Sequence, residues 1–177
     1  MKRSKVFCIG FAKTGTTSLG KALSDLGYRV TGPNWVHDTF ISEIIYTLVD
    51  KFVPIYDAFQ DNPWPIVYEY LDKNYKGKFI LTTRSSESWL KSMVNHCGTK
   101  ETPFRKWVYG YSNPVGHEDV YIKRYEKHNH DVREYFKGRD DFLEMSIVNG
   151  EGYEKLCPFL GVKMINEKFP HENKTRK

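Results

Sequence analysis

Short apolar runs alternate with longer amphipathic stretches along the chain, and this alternation predicts a mixture of strands and helices. Runs rich in β-branched and aromatic residues predict strands at 5–10, 28–31, 53–58, 78–83 and 141–148. Apolar positions at helical spacing predict helices at 16–26, 38–52, 66–74, 86–97, 118–136 and 152–160. The stretch 98–116 is rich in Gly, Pro and aromatic residues and follows neither period, so we expect an irregular segment there.

Strands that alternate with helices form βαβ units, in which parallel strands build a sheet and the helices cover its faces. The predicted fold class is therefore α/β, a three-layer sandwich with a central parallel sheet flanked by helices. The chain has 177 residues and contains no internal repeat, linker or low-complexity segment. Residues 1–177 are expected to form a single domain.

Composition narrows the class of partner and the compartment. The formal net charge of +5 favours an anionic partner, and the absence of any run of five basic residues leaves nucleic-acid binding unexpected. The cysteines Cys8, Cys97 and Cys157 are odd in number and form no C-x-x-C pair, which argues against a disulfide framework or zinc site. This usage suits a reducing compartment, so a cytoplasmic protein is expected. No apolar run approaches the roughly 18 residues that a membrane span needs.

A glycine-rich turn connects the first predicted strand to the first predicted helix. Gly10 and Gly15 enclose Lys13 in the G-x-x-x-x-G pattern of a P-loop, and Thr16 stands where nucleotide triphosphatases place lysine. Glycines let backbone amides turn toward a phosphate, and the N-terminus of the next helix adds its positive end. The turn predicts a phosphate site on a P-loop NTPase-like fold, and the alternative is an ordinary connection between strand and helix.

The stretch Lys13-Thr-Gly-Thr-Thr17 resembles the loop with which sulfotransferases bind the 5′-phosphosulfate of 3′-phosphoadenosine 5′-phosphosulfate (PAPS). In that family an Arg at a strand end and a Ser eight residues later bind the 3′-phosphate, and Arg84 and Ser92 have this spacing. The resemblance implies PAPS as donor, adenosine 3′,5′-bisphosphate as product and no metal. The donor-binding residues that it implies are Lys13, Thr14, Gly15, Thr16, Thr17, Ser18, Arg84 and Ser92.

The chain also departs from the family pattern. Ser18 stands where many cytosolic members carry Trp, and the Arg-Lys-Gly loop that covers the 3′-phosphate is missing, with Lys174 or Arg176 as its candidate substitute. The ending Lys168-Phe-Pro-His-Glu-Asn173 resembles a small branch related to the cytosolic enzymes. The dimerisation motif of cytosolic members is absent near the C-terminus. These departures leave the acceptor and the oligomeric state open.

Transfer of a sulfuryl group to an alcohol requires a base for the hydroxyl proton and a cation for the leaving phosphate. Cytosolic sulfotransferases commonly place a His-x-Pro turn before the 3′-phosphate Arg, whereas this chain has Asp61-Asn62-Pro63 there. Because relatives acting on glycans often use a carboxylate at this place, the resemblance implies Asp61 as general base. Asp57 is the second candidate, and Lys13 is the implied cation. The alternative for Asp61 is a cap of the turn.

The acceptor side is less defined by the sequence. His96 and His117 flank the segment 98–116, which is either a lid over the acceptor or an ordinary packed loop. Trp35 and Trp64 belong either to the core or to the acceptor wall. A hydroxyl or amine on a small molecule or glycan is the expected acceptor.

Two other classes of function compete with a sulfotransferase. A small-molecule kinase of P-loop type needs an acidic residue at a strand end for Mg²⁺, which Asp57 would supply, but Thr16 replaces its lysine. A non-catalytic nucleotide-binding module would bind the donor and its product without transferring anything.

Overall fold

The computed structural model describes residues 3–172 of the chain. Five strands alternate with seven α-helices, and short 3₁₀ turns occupy Trp64–Val67 and Ile147–Asn149. The strands are β1 (Lys5–Cys8), β2 (Val30–Thr31), β3 (Ala58–Phe59), β4 (Gly77–Thr82) and β5 (Phe142–Met145). The helices are α1 (Thr16–Asp25), α2 (Ile41–Phe52), α3 (Tyr68–Asn74), α4 (Ser86–Cys97), α5 (Pro103–Tyr109), α6 (Glu118–Tyr135) and α7 (Tyr153–Leu160).

The strands form one sheet in the order β2-β3-β1-β4-β5, and every pair is parallel. The central strand β1 pairs with β3 and β4, and its residue Val6 lies opposite Ala58 of β3 and Lys78 of β4. Because all strands run the same way, the segments that follow β1, β3, β4 and β5 emerge at one edge of the sheet. That edge is where ligands bind in open parallel sheets.

The two faces of the sheet are covered by separate apolar clusters, since successive strand residues point to opposite sides. Val6 and Cys8 of β1 face a cluster built with α1 and α7, which includes Leu19, Leu23 and Leu156. On the other face a second cluster is built with α2, α3 and α6; its large members include Phe7, Phe59, Phe79, Ile45, Leu71 and Phe136. The predicted α/β sandwich is thus confirmed.

The largest differences from the predicted elements lie in the third strand and in the segment 98–116. The third strand, predicted at 53–58, begins at Ala58, because Val53 still continues the path of α2 and donates its amide to Val49 O at 2.9 Å. The segment 98–116 contains helix α5, which begins after Thr102; the Thr102 hydroxyl caps this helix by accepting from the Arg105 amide at 3.2 Å. Within the described residues, no helix has the length and apolar character required to cross a membrane.

Candidate active site

The loop between β1 and α1 has the tight turn that its glycines predict. Gly15 adopts a φ of 100° and Lys13 a φ of 73°, both in the left-handed region. Gly10 passes so close to β4 that a Cβ there would lie 2.1 Å from the Thr82 hydroxyl, so the position requires glycine. Helix α1 then begins at Thr16, and its N-terminal end lines a cavity.

The Thr14 side chain stabilises this loop through two hydrogen bonds. Its side chain is fully buried, and its hydroxyl lies 2.6 Å from both Phe11 O and the Thr82 hydroxyl. Two further contacts hold the loop from the side of α4: Trp89 Nε1 donates to Ala12 O at 2.9 Å, and Arg84 Nη1 donates to Lys13 O at 3.1 Å. The Thr14 hydroxyl therefore fixes the shape of the loop, and Thr14 is not one of the residues that line the cavity.

A cavity of about 770 Å³ opens at the carboxyl edge of the sheet, in front of this loop. It brings together most of the residues that the sequence singled out, namely Lys13, Gly15, Thr16, Thr17, Ser18, Asp61, Arg84, Ser92 and His96. His117 does not line the cavity and stacks on Tyr111, with ring centroids 3.6 Å apart.

Arg84 follows β4 and is half-buried in this cavity. Its backbone amide and carbonyl both bond the Tyr125 hydroxyl, at 3.1 and 2.9 Å, and its Nη2 contacts the Ser88 hydroxyl. Its Nε is buried without a hydrogen-bond partner in the described structure, and the guanidinium pairs with no carboxylate of residues 3–172. Burial lowers the pKa of Arg84, and an unsatisfied cationic donor of this kind suits an anionic ligand.

Asp61 lies on the turn after β3, against the start of α1. Its backbone φ is 62°, and its Oδ1 accepts from the Asn62 amide at 2.7 Å. Its Oδ2 accepts from the Thr16 hydroxyl at 2.6 Å. The carboxylate thus caps its own turn, which was the alternative interpretation, and also lines the cavity beside the P-loop.

Asp57 lies at the opposite edge of the sheet. It immediately precedes β3, and its carboxylate accepts from Arg29 Nε at 2.9 Å. The hydrogen bond from Arg29 is the main reason that the pKa of Asp57 is lowered. Asp57 does not line the cavity, so neither a base nor a Mg²⁺ ligand for that cavity comes from this position.

A further wall of the cavity is built by the end of α4 and by α5. Its buried apolar members include Met93, Cys97, Phe104 and Tyr109, and Lys100 and Arg105 lie beside them. The pKa of His96 is lowered, first by burial and then by the charge of Lys13. Sequence reasoning missed Arg105, and the signal that was available was Thr102-Pro103, a cap followed by a Pro that starts a helix.

Trp35 and Trp64 belong to the core. Trp64 is fully buried and its ring packs 4.6 Å from that of Phe59, while Trp35 packs 4.5 Å from Phe52. Neither residue lines the cavity. Among residues 3–172, no group of three or more His, Cys, Asp or Glu side chains is arranged to hold a metal ion.

The C-terminal segment, residues 161–172, follows α7 and forms the side of the cavity next to α1. His171 and Glu172 line it, and the Glu172 amide donates to the Ser18 hydroxyl at 3.0 Å. Ser18 therefore contacts the chain itself at the position where many cytosolic sulfotransferases have Trp. Lys174 and Arg176, the candidate substitutes for the missing loop, lie outside the described residues.

Comparison with known proteins identifies a matching family and a distant relative. A family model described as a sulfotransferase domain matches the chain in two overlapping parts, residues 5–120 and 109–177. A protein of Aspergillus versicolor named Ava biosynthesis cluster protein M is 26% identical to this chain. The alignment covers 94% of this chain and 80% of that protein.

Proposed function

The chain belongs to the sulfotransferase domain family, and from this premise we propose that it transfers a sulfuryl group from PAPS to a hydroxyl or amine of a small-molecule acceptor. The observation that carries the choice of donor is Arg84, which lines the same cavity as the P-loop and whose guanidinium pairs with no carboxylate of residues 3–172. Ser92 lines this cavity as well. Two candidate phosphate sites in one cavity would suit a donor that carries phosphates at both its 3′ and 5′ positions.

The donor's two charged ends would use different parts of the cavity. The 5′-phosphosulfate would lie over the N-terminus of α1, where the amides after Gly15 and the helix dipole favour an anion. The 3′-phosphate would lie between Arg84 and Ser92, where the guanidinium supplies charge-assisted hydrogen bonds. Adenosine 3′,5′-bisphosphate is then the product.

The transfer itself is an in-line displacement at sulfur. The acceptor oxygen forms a bond to sulfur while the bond between sulfur and the 5′-phosphate oxygen breaks, and the electron pair stays on that phosphate. Asp61 accepts the proton of the acceptor hydroxyl. Lys13 neutralises the charge that grows on the leaving phosphate.

A small-molecule acceptor is supported by the cavity wall that the end of α4 and α5 build. The buried side chains of Met93, Cys97, Phe104 and Tyr109 suit an apolar or aromatic body.

Calorimetry with adenosine 3′,5′-bisphosphate and AMP tests the donor assignment. The bisphosphate should bind at least about tenfold more tightly, because charge-assisted contacts to the 3′-phosphate are lost with AMP. Arg84→Ala should abolish this preference, and the ratio of the two affinities is the readout, because the variant also loses the Arg84 hydrogen bond to Lys13 O. Equal affinities for the two nucleotides in the parent protein would refute the 3′-phosphate site.

Turnover with labelled PAPS across alcohols, phenols and amines then tests the reaction. Sulfated product formed in the presence of a metal chelator is the expected result. Phosphorylation of an acceptor by ATP and Mg²⁺ would support the kinase instead. Tight bisphosphate binding without transfer to any acceptor class would support the non-catalytic module.

A further inference from the structure

One hydrogen bond joins the donor loop to the proposed base. Thr16 is the first residue of α1, its side chain is almost fully buried, and its hydroxyl donates to Asp61 Oδ2 at 2.6 Å. The sequence predicted this hydroxyl as a ligand for the donor. A hydroxyl has a single proton to donate, and in this structure the Asp61 carboxylate receives it.

The backbone around Asp61 is already fixed by other contacts. The Trp64 amide donates to Asp61 O at 3.2 Å, and the Asn34 amide donates to Asn62 O at 2.8 Å. These bonds set the position of the Asp61 Cα and leave the orientation of the carboxylate to its side-chain torsions. The hydrogen-bond donors to that carboxylate include the Thr16 hydroxyl and the Asn62 amide.

The carboxylate keeps the capacity to act as a base in this arrangement. Each oxygen accepts one hydrogen bond, and a carboxylate offers roughly four lone-pair sites in total. The sites that remain can take a proton from an acceptor. The Thr16 bond therefore orients the carboxylate without occupying it fully.

We propose that Thr16 is a positioning residue: its hydroxyl aims the Asp61 carboxylate at the acceptor, and it contributes little to donor affinity. This inference rests on the proposed function, in which Asp61 takes the acceptor proton. A base that is free to rotate spends less time in the reactive geometry, and misplacement lowers turnover without weakening substrate binding. Thr16 then acts only through Asp61.

A double-mutant cycle tests this dependence. Thr16→Val keeps the shape of the side chain and removes the proton, so kcat should fall roughly tenfold. The affinity for adenosine 3′,5′-bisphosphate should change less than about twofold. Thr16→Ser restores the hydroxyl and should retain most of the parent kcat. In an Asp61→Asn background, Thr16→Val should cause no further loss.

Ser92→Ala is the matched control, because Ser92 lines the same cavity but is proposed to bind the donor. Ser92→Ala should weaken bisphosphate binding. Its loss in kcat/KM should multiply with the loss in kcat/KM caused by Asp61→Asn. If the kcat losses caused by Thr16→Val and Asp61→Asn multiply in the double variant, the inference is overturned. Weaker bisphosphate binding by Thr16→Val with an unchanged kcat would also overturn it.

A structural readout separates this inference from the reaction itself. If the parent protein binds the bisphosphate but sulfates nothing, the proposed function fails, and crystal structures of the parent and Thr16→Val still test the contact. The expected result is a different orientation of the Asp61 carboxylate in the variant. An unchanged orientation would show that Thr16 does not position it.

Discussion

At the scale of single residues, His128 is a buried neutral base that supports the start of the P-loop. Its ring is 2% exposed, its Nε2 lies 2.7 Å from Ile9 O, and it stacks on Phe11 with centroids 4.1 Å apart. Burial lowers the pKa of His128 to about 4 from an ordinary value of 6.5. The hydrogen bond to Ile9 acts in the opposite direction but does not outweigh burial.

Stability should therefore fall as the pH drops below 6.5. Below that pH the unfolded chain binds a proton at His128, whereas the folded chain does not bind it until the pH approaches 4, so protons favour unfolding. The free energy of unfolding should therefore decrease by about 2 kcal/mol between pH 7 and pH 5. Urea unfolding at several pH values in this range measures it.

Variants of single histidines test whether His128 causes this pH dependence of stability. His128→Gln should be less stable at pH 7 but should lose most of the pH dependence between pH 7 and pH 5. His130→Gln removes an exposed histidine of the same helix and should retain that dependence. A parent protein whose stability is flat over this range would contradict the assignment.

Asp57 and Asp61 show the limit of sequence reasoning at this scale. The resemblance implies Asp61 as the base, and Asp57, four residues earlier near the predicted strand end, is the second candidate. The predicted strand 53–58 was placed too early, which put Asp57 at its end. The structure has the short β3 between the two residues, and residues on either side of a strand lie at opposite edges of a sheet. Only Asp61 therefore reaches the cavity.

At the scale of elements, the specific motifs were predictable, and the cavity wall built by the end of α4 and by α5 was not. The loop, α1 and the end of β4 carry local signals: glycines at fixed spacing, a buried strand and an amphipathic helix. Helix α5 has seven residues and too few turns to display a helical stripe, so its aromatic content suggested a loop. Its contribution to the cavity depends on tertiary packing, which the local pattern does not encode.

The C-terminal segment is the second element that the sequence did not place. Phe169 anchors it, with its ring 4.9 Å from that of Tyr153, and the Glu172 amide reaches Ser18. His171 and Glu172 then form one wall of the cavity. In the proposed donor complex this segment would cover the donor, although it lacks the family's Arg-Lys-Gly sequence.

Loosening this segment should weaken donor binding. Ser18→Ala removes one hydrogen bond to the segment, and bisphosphate affinity should fall roughly fivefold. Phe169→Ala should produce a similar loss, although Phe169 does not line this cavity. Lys163→Ala, an exposed change in the same segment, should bind normally. If only Ser18→Ala weakens binding in calorimetry, Ser18 contacts the donor directly and the segment is not a cover.

At the scale of the whole molecule, the cavity joins parts of the chain that are far apart in sequence. The P-loop follows β1, Asp61 follows β3, Arg84 follows β4 and Ile147 follows β5. The parallel sheet holds these segments in register, and the clusters on its two faces hold the sheet. A ligand in the cavity would therefore contact the segments that follow β1, β3, β4 and β5.

This arrangement predicts that the chain unfolds in one cooperative transition. Three of the four Trp residues, Trp35, Trp64 and Trp107, lie in or against the second apolar cluster, and Trp89 lies in a third cluster with Tyr125 of α6. Fluorescence therefore reports mainly on the face of the sheet that the second cluster covers. Helices α1 and α7 pack on the other face, and hydrogen exchange in these helices reports on it. In a single domain, thermal unfolding by fluorescence, circular dichroism and hydrogen exchange should coincide.

Adenosine 3′,5′-bisphosphate should then stabilise both faces equally. At a concentration 100 times the Kd, a ligand that binds only the folded state adds about 2.7 kcal/mol, which raises the Tm of a chain of this size by roughly 5–10 °C. The shift should be the same by every probe, because the P-loop leads into α1 and Arg84 lies in the connection between β4 and α4. Arg84→Ala should show a smaller shift at the same ligand concentration. Two separate transitions, with the ligand moving only one of them, would mean that the chain is not a single cooperative unit.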